Sequence, residues 1–220
     1  TRLLRGQTGK MAQPVTQEEG EGAPELYHEK QRWMYCGIHA VNNLFQRKAF
    51  EKEDFDKVAG TLSPGAFISP HKSMWGLGNY DVNVLTMILQ EKGYELRWFD
   101  KRKRPENINF DKLFGIIVNT RTSRILFNSF HWIALKKINN KWMNLDSKKK
   151  SPEEFKDGEN GLITYLESII ENNNQILLVV KGEDTDCVYR KAEKEKVKED
   201  SKTGEEGKGD NVKKLAKDKK

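Results

Sequence analysis

Apolar and polar residues alternate along this chain with two different periods, and the switch between them sketches the elements. "CGIHAVNNLFQ" carries Ile38, Val41, Leu44 and Phe45 at helical spacing, and "YDVNVLTMILQEKG" puts Val82, Leu85, Ile88 and Leu89 on one face, with Gly93 at the C-cap position. "FEKEDFDKVAG" is a shorter helix expected to end at Gly60, and "GLITYLESIIENN" is a later one. Strand-like runs follow the first three helices: "YELRWFD", "FGIIVNT", "HWIALKKINNKWMNLDS" as two strands about an Asn-Asn turn, and "QILLVV" as a buried last strand. Helices first and a mostly antiparallel sheet afterwards argue for an α+β domain rather than alternating βαβ units. "LSPGAFISPHKSMWGLGN" is rich in Pro and Gly and reads as a loop.

The ends lack any such period. Residues 1–24 are rich in Gln, Glu, Gly and Pro and read as disordered, with Met11 a candidate start. From 183 to 220 the chain mixes both charge signs with almost nothing apolar, which reads as a disordered tail. One domain over 25–182 remains.

Of the 220 residues, 36% are hydrophobic and 33% charged, a balance that fits a core diluted by solvated ends. No apolar run approaches the roughly 20 residues of a membrane-spanning helix, and the first residues lack the apolar block of a secretory signal. Two cysteines, Cys36 and Cys187, cannot form a disulfide scaffold, so a reducing, cytoplasmic setting is expected. The net charge of +6 lies partly in "KRKR" (101–104) and "SKKK" (147–150), read as solvated loops. No aromatic residue interleaves these runs, which argues against nucleic acid as the main partner. An accessory membrane contact through them has nothing in the sequence to support it.

Candidate chemistry centres on Cys36. At the first turn of a helix, free backbone N–H groups and the positive end of the helix dipole favour a thiolate; the bland alternative is an inert core cysteine. His39 makes a Cys-x-x-His pair with it, but no second pair at ligand spacing completes a zinc site. His39 reads instead as a packing or hydrogen-bonding residue, and His28 and His71 as surface residues. His131 has a partner. If Asn139–Asn140 form a two-residue turn, Ile138 pairs with Lys141, His131 faces Lys148 and Asp146 faces Ile133. His131 and Asp146 are then diagonal neighbours on one face, roughly 7–8 Å apart between backbones, within side-chain reach. Asp146 would orient the imidazole, and the Cys36 N–H with the Gln31 amide would receive an oxyanion.

The order Gln, Cys, His, Asp is that of papain-like cysteine proteases. "YHEKQRWMYCGIHAVNNLFQ", "ISPHKSMWGLGNYDVNV", "FHWIAL" and "WMNLDSK" together resemble the Josephin domain of cysteine deubiquitinases, nearest to the short Josephin-only proteins rather than the longer ataxin relatives. The resemblance covers residues 26–182. It implies a papain-like fold, hydrolysis of the isopeptide bond at the ubiquitin C-terminal glycine and no cofactor. It also implies roles for Cys36 as nucleophile, His131 as general base and acid, Asp146 as third member and Gln31 as oxyanion donor. Val82 and Asn83 would face ubiquitin, and the loop 61–80 would gate the cleft. Gly37, where alanine is commoner, and Lys92, where ataxin-type relatives carry an aromatic contact, depart from the pattern. A catalytically silent ubiquitin-binding module is the alternative.

Overall fold

The strands Tyr94–Trp98 (β1), Gly115–Ser123 (β2), Asn128–Ile138 (β3), Lys141–Asn144 (β4), Glu153–Glu154 (β5) and Gln175–Lys181 (β6) form one antiparallel sheet in the order β1-β6-β2-β3-β4-β5. The computed structural model describes residues 26–65, 71, 79–123 and 128–190. The expected disorder of 1–24, most of the proposed gate in 61–80 and the chain beyond 190 lie outside them. Strand β6 sits between β1 and β2, covered on both faces, and so its central residues form an unbroken apolar run.

The helices are Cys36–Phe45 (α1), Lys52–Leu62 (α2), Val82–Gln90 (α3) and Glu159–Glu171 (α4). Side chains alternate across the sheet and divide the core in two. Ile117, Trp132, Ala134, Leu177 and Val179 pack with α1, α2 and α3. Their neighbours Ile116, Val118, Ile133, Leu135, Ile176 and Leu178 pack with Leu162, Leu166 and Ile169 of α4. Helix α1 lies against β3 and, at the start of β2, comes so close to the sheet that a Cβ on Gly115 would sit 2.4 Å from Leu44 Cδ1 and 2.8 Å from the Leu135 carbonyl oxygen.

Two boundaries differ from expectation. Helix α2 runs past Gly60 to Leu62: Gly60 does not adopt the left-handed conformation by which glycine ends a helix, and Leu62 packs against the core. The domain also continues beyond 182. A charged 3₁₀ turn, Gly182–Cys187, delivers Val188 and Tyr189 to the second core. There Tyr189 bridges Ile108, and the Arg190 N–H donates to the Asn107 carbonyl at 2.8 Å. Two apolar residues hidden in a polar run are enough to extend the fold.

The hairpin of β3 and β4 has the expected register, Ile138 opposite Lys141. Asn139 and Asn140 both have positive φ, 48° and 62°, the conformation that a two-residue hairpin turn demands and asparagine tolerates.

Candidate active site

Cys36 is the first residue of α1, and no acidic residue in that turn competes with a thiolate for the helix dipole. It is 3% exposed. The adjacent Gly37 packs its backbone against Leu85 and Trp132, where an added Cβ would meet Leu85 Cδ1 at 3.3 Å. Trp132 in turn donates its indole N–H to the Tyr80 carbonyl at 2.9 Å, tying β3 to the start of α3.

His131 Nε2 lies 2.6 Å from Asp146 Oδ1. The ladder between β3 and β4 stops at Leu135–Asn144, so the expected diagonal across a continued pair of strands is not what brings them together. Leu145 still donates its N–H to the Ala134 carbonyl; the chain then turns, with the Lys148 N–H donating to Asp146 Oδ1. The turn swings the carboxylate back onto the ring, while along the other edge of β3 His131 pairs with Thr120 of β2.

Burial pulls the imidazole pKa down, but the hydrogen bond to Asp146 and the influence of the Cys36 sulfur outweigh it and leave His131 above its ordinary value. For Asp146 burial acts upward, and the bonds from His131 and the Lys148 N–H prevail, holding the carboxyl below its ordinary value. His131 Nδ1, the ring nitrogen away from Asp146, is buried and has no hydrogen-bond partner among the described residues. Both shifts favour an imidazolium bonded to a carboxylate.

Gln31 is tied to the same turn by its backbone N–H, which donates to the Ser147 carbonyl at 2.7 Å. Its Nε2 donates to the Trp33 carbonyl at 2.9 Å, leaving one amide hydrogen for another acceptor. The gathering of these segments rests on polar residues that the apolar pattern does not single out. Buried Asn43 donates to the Leu145 carbonyl at 3.0 Å and accepts from the Glu29 N–H at 2.6 Å. His28, expected at the surface, lies 3.1 Å from the Asp146 carbonyl. The Glu29 carboxylate meets His39 Nδ1 at 2.6 Å and accepts from Asn42 at 3.0 Å and from the Tyr27 hydroxyl. His39, Asn42 and Asn43 fall at i, i+3 and i+4, a polar stripe inside the apolar face of α1 that the sequence does display.

His71, also expected at the surface, is half-buried and lies 2.7 Å from Asp81, which caps α3 by accepting from the Asn83 and Val84 N–H groups. Val82 is half-buried and Asn83 exposed. Val82 lines a depression of about 270 Å³ with Phe130 and Trp132, which flank His131 in the chain. Among the described residues no three His, Cys, Asp or Glu side chains gather to hold a metal.

The Josephin family model matches residues 31–180. A Josephin-like protein of Drosophila melanogaster is 38% identical over 170 residues, covering 74% of this chain and 76% of its own length. Human Josephin-2 is 35% identical over 167 residues, 73% of this chain and 88% of its own. Human ataxin-3 is 28% identical over 182 residues, 74% of this chain and 47% of its own.

Proposed function

From the premise that the chain belongs to the Josephin family, an α+β papain-like fold, we propose that it is a thiol-dependent deubiquitinase acting at the C-terminal glycine of ubiquitin. The observation that carries the proposal is the buried imidazole of His131 bonded to Asp146, on the strand β3 against which α1, opening at Cys36, packs.

In the reaction, the Cys36 thiolate adds to the glycine carbonyl carbon. The oxyanion takes hydrogen bonds from the Cys36 N–H and from the free amide hydrogen of Gln31. The C–N bond breaks as the His131 imidazolium gives its proton to the departing lysine amine, leaving a thioester. Water then attacks the thioester and gives a proton to His131. The C–S bond breaks, and ubiquitin leaves with a free carboxylate. Asp146 keeps the ring in one orientation and stabilises its charged form. Val82 and Asn83 contact ubiquitin beside the apolar depression. A reducing, cytoplasmic setting belongs to the same proposal, because the nucleophile works only as a thiolate.

A ubiquitin bearing a C-terminal electrophile tests this. The wild-type protein forms a covalent adduct at Cys36. Cys36→Ala forms none, and His131→Ala reacts at least about 10²-fold more slowly, the scale of general acid–base assistance. A protein that binds ubiquitin without forming the adduct is the silent module instead.

A further inference from the structure

A second depression, of about 400 Å³, lies beside the triad on the side of Asp146, and shares no lining residue with the apolar one beside Phe130. Lys30, Lys148, Lys149 and Lys150 line it with Trp33, and no carboxylate does. Lys149 is paired with Glu153, outside the depression. Lys30 and Lys150 are exposed and have no carboxylate partner among the described residues. The result is a wall of positive charge adjoining the reacting groups.

Two further atoms indicate what fits there. Ser147 is 4% exposed, and its hydroxyl has no hydrogen-bond partner; Gln31 Oε1 is likewise buried and unpartnered. Both residues line the depression. The hydroxyl can donate to an anion or a carbonyl, but the amide oxygen can only accept. A phosphate or a bare carboxylate would leave it unsatisfied, whereas a peptide group offers both a carbonyl and an N–H.

Trp33 adds a third indication. Its φ is 52°, a left-handed conformation unusual for a bulky residue, and its side chain is 72% exposed. Among the described residues the Trp33 indole joins neither core nor any ring contact, so it is a bound chain that would reward an indole there. The Gln31 amide holds the Trp33 carbonyl, so the aromatic wall is fixed to the oxyanion residue itself.

Resting on the thiol-hydrolase reading, we infer that this depression binds an acidic stretch of polypeptide on the leaving-group side of the scissile bond. Ubiquitin itself occupies the Val82 side, and the lysine wall selects substrates whose modified lysine lies among Asp and Glu residues.

The test uses the full chain and two substrates, ubiquitin joined to the lysine of a short acidic peptide or of a neutral peptide of equal length. The wild type cleaves the acidic one with kcat/KM roughly five- to tenfold higher, the combined effect of a few exposed charge pairs, chiefly through KM. The gap narrows as ionic strength rises past about 0.15 M, where screening acts within roughly 8 Å. Replacing Lys30→Glu and Lys150→Glu together, at exposed positions where folding is not at stake, removes or reverses the preference. Equal rates on both peptides in the wild type overturn the inference, as does a preference that survives the double substitution. Lysine-dependent binding to phosphatidylserine vesicles without a peptide preference overturns it too, assigning the wall to a membrane surface. Labelling of Cys36 by the ubiquitin electrophile is measured alongside. Adduct without preference sinks this inference alone, and no adduct sinks it together with the reading beneath it.

Discussion

The carboxylate of Asp146 sets the pH range over which His131 stays charged. Because Asp146 and Cys36 hold the imidazole above its ordinary pKa, the imidazolium persists to higher pH than a free histidine would allow. In Asp146→Asn a hydrogen bond can remain but the charge is gone, so the ring loses its proton at lower pH. The basic limb of kcat/KM on a ubiquitin substrate therefore moves toward acid, whereas a merely structural carboxylate would lower the rate without moving it. The three residues of the proposed triad stand out in the chain because each sits at a marked place: a helix mouth, a strand beside an Asn-Asn turn, and the far end of that hairpin. The residues holding them were not. Glu29, Asn42 and Asn43 are polar types usually found at the surface, and only the fold reveals that their partners are buried.

At the level of elements, the site depends on how closely α1 approaches the sheet at β2 and β3 and on the turn that sets the β3–β4 register. Gly115→Ala would push a methyl group against Leu44 and the Leu135 carbonyl. The Leu44 side chain can move, but the carbonyl belongs to the sheet. The expected cost is about 2–3 kcal/mol, the upper part of the usual overpacking range, read as a lower urea midpoint with unchanged m. The hairpin gives a contrasting pair. Asn140→Gly keeps the positive φ and leaves stability near that of the wild type, while Asn140→Val forces a β-branched residue into it and costs about 1–3 kcal/mol in thermal or urea unfolding. Such elements are readable where one pattern dominates, as in the Asn-Asn turn and in "QILLVV". Reading fails where packing overrides local preference: Leu62 draws α2 past Gly60, and Val188 and Tyr189 bring a charged segment onto the domain. The diagonal expected for His131 and Asp146 had the right register but the wrong cause, because β4 ends before Asp146 and a turn completes the approach.

Across the whole molecule, polar groups clasp the lead-in before α1 to the turn after β4, so stability and site integrity share a pH dependence. Burial alone would raise the Glu29 pKa. Bonds from His39, Tyr27 and Asn42 overcome it and bring Glu29 below its ordinary 4.5; Asp146 is held below 3.8 by His131 and the Lys148 N–H despite its burial. A carboxyl whose folded pKa is depressed adds stability that is complete above the unfolded value and is lost as pH falls through the folded one. Both contributions are thus present at pH 7 and disappear in the acid range. Glu29→Gln keeps the shape but removes the charge that His39 and Tyr27 meet. It should destabilise the protein at pH 7 by about 1–3 kcal/mol, the scale of a charge-assisted hydrogen bond in a partly buried place. The deficit should shrink once pH falls below about 4.3, where the carboxyl of the unfolded chain takes up a proton, and be gone when the folded one has done so too. Urea unfolding of both proteins at neutral and acid pH measures this directly. A gap that stays constant with pH would mean that Glu29 acts through packing alone, and that the clasp between the lead-in and the catalytic turn does not rest on its charge.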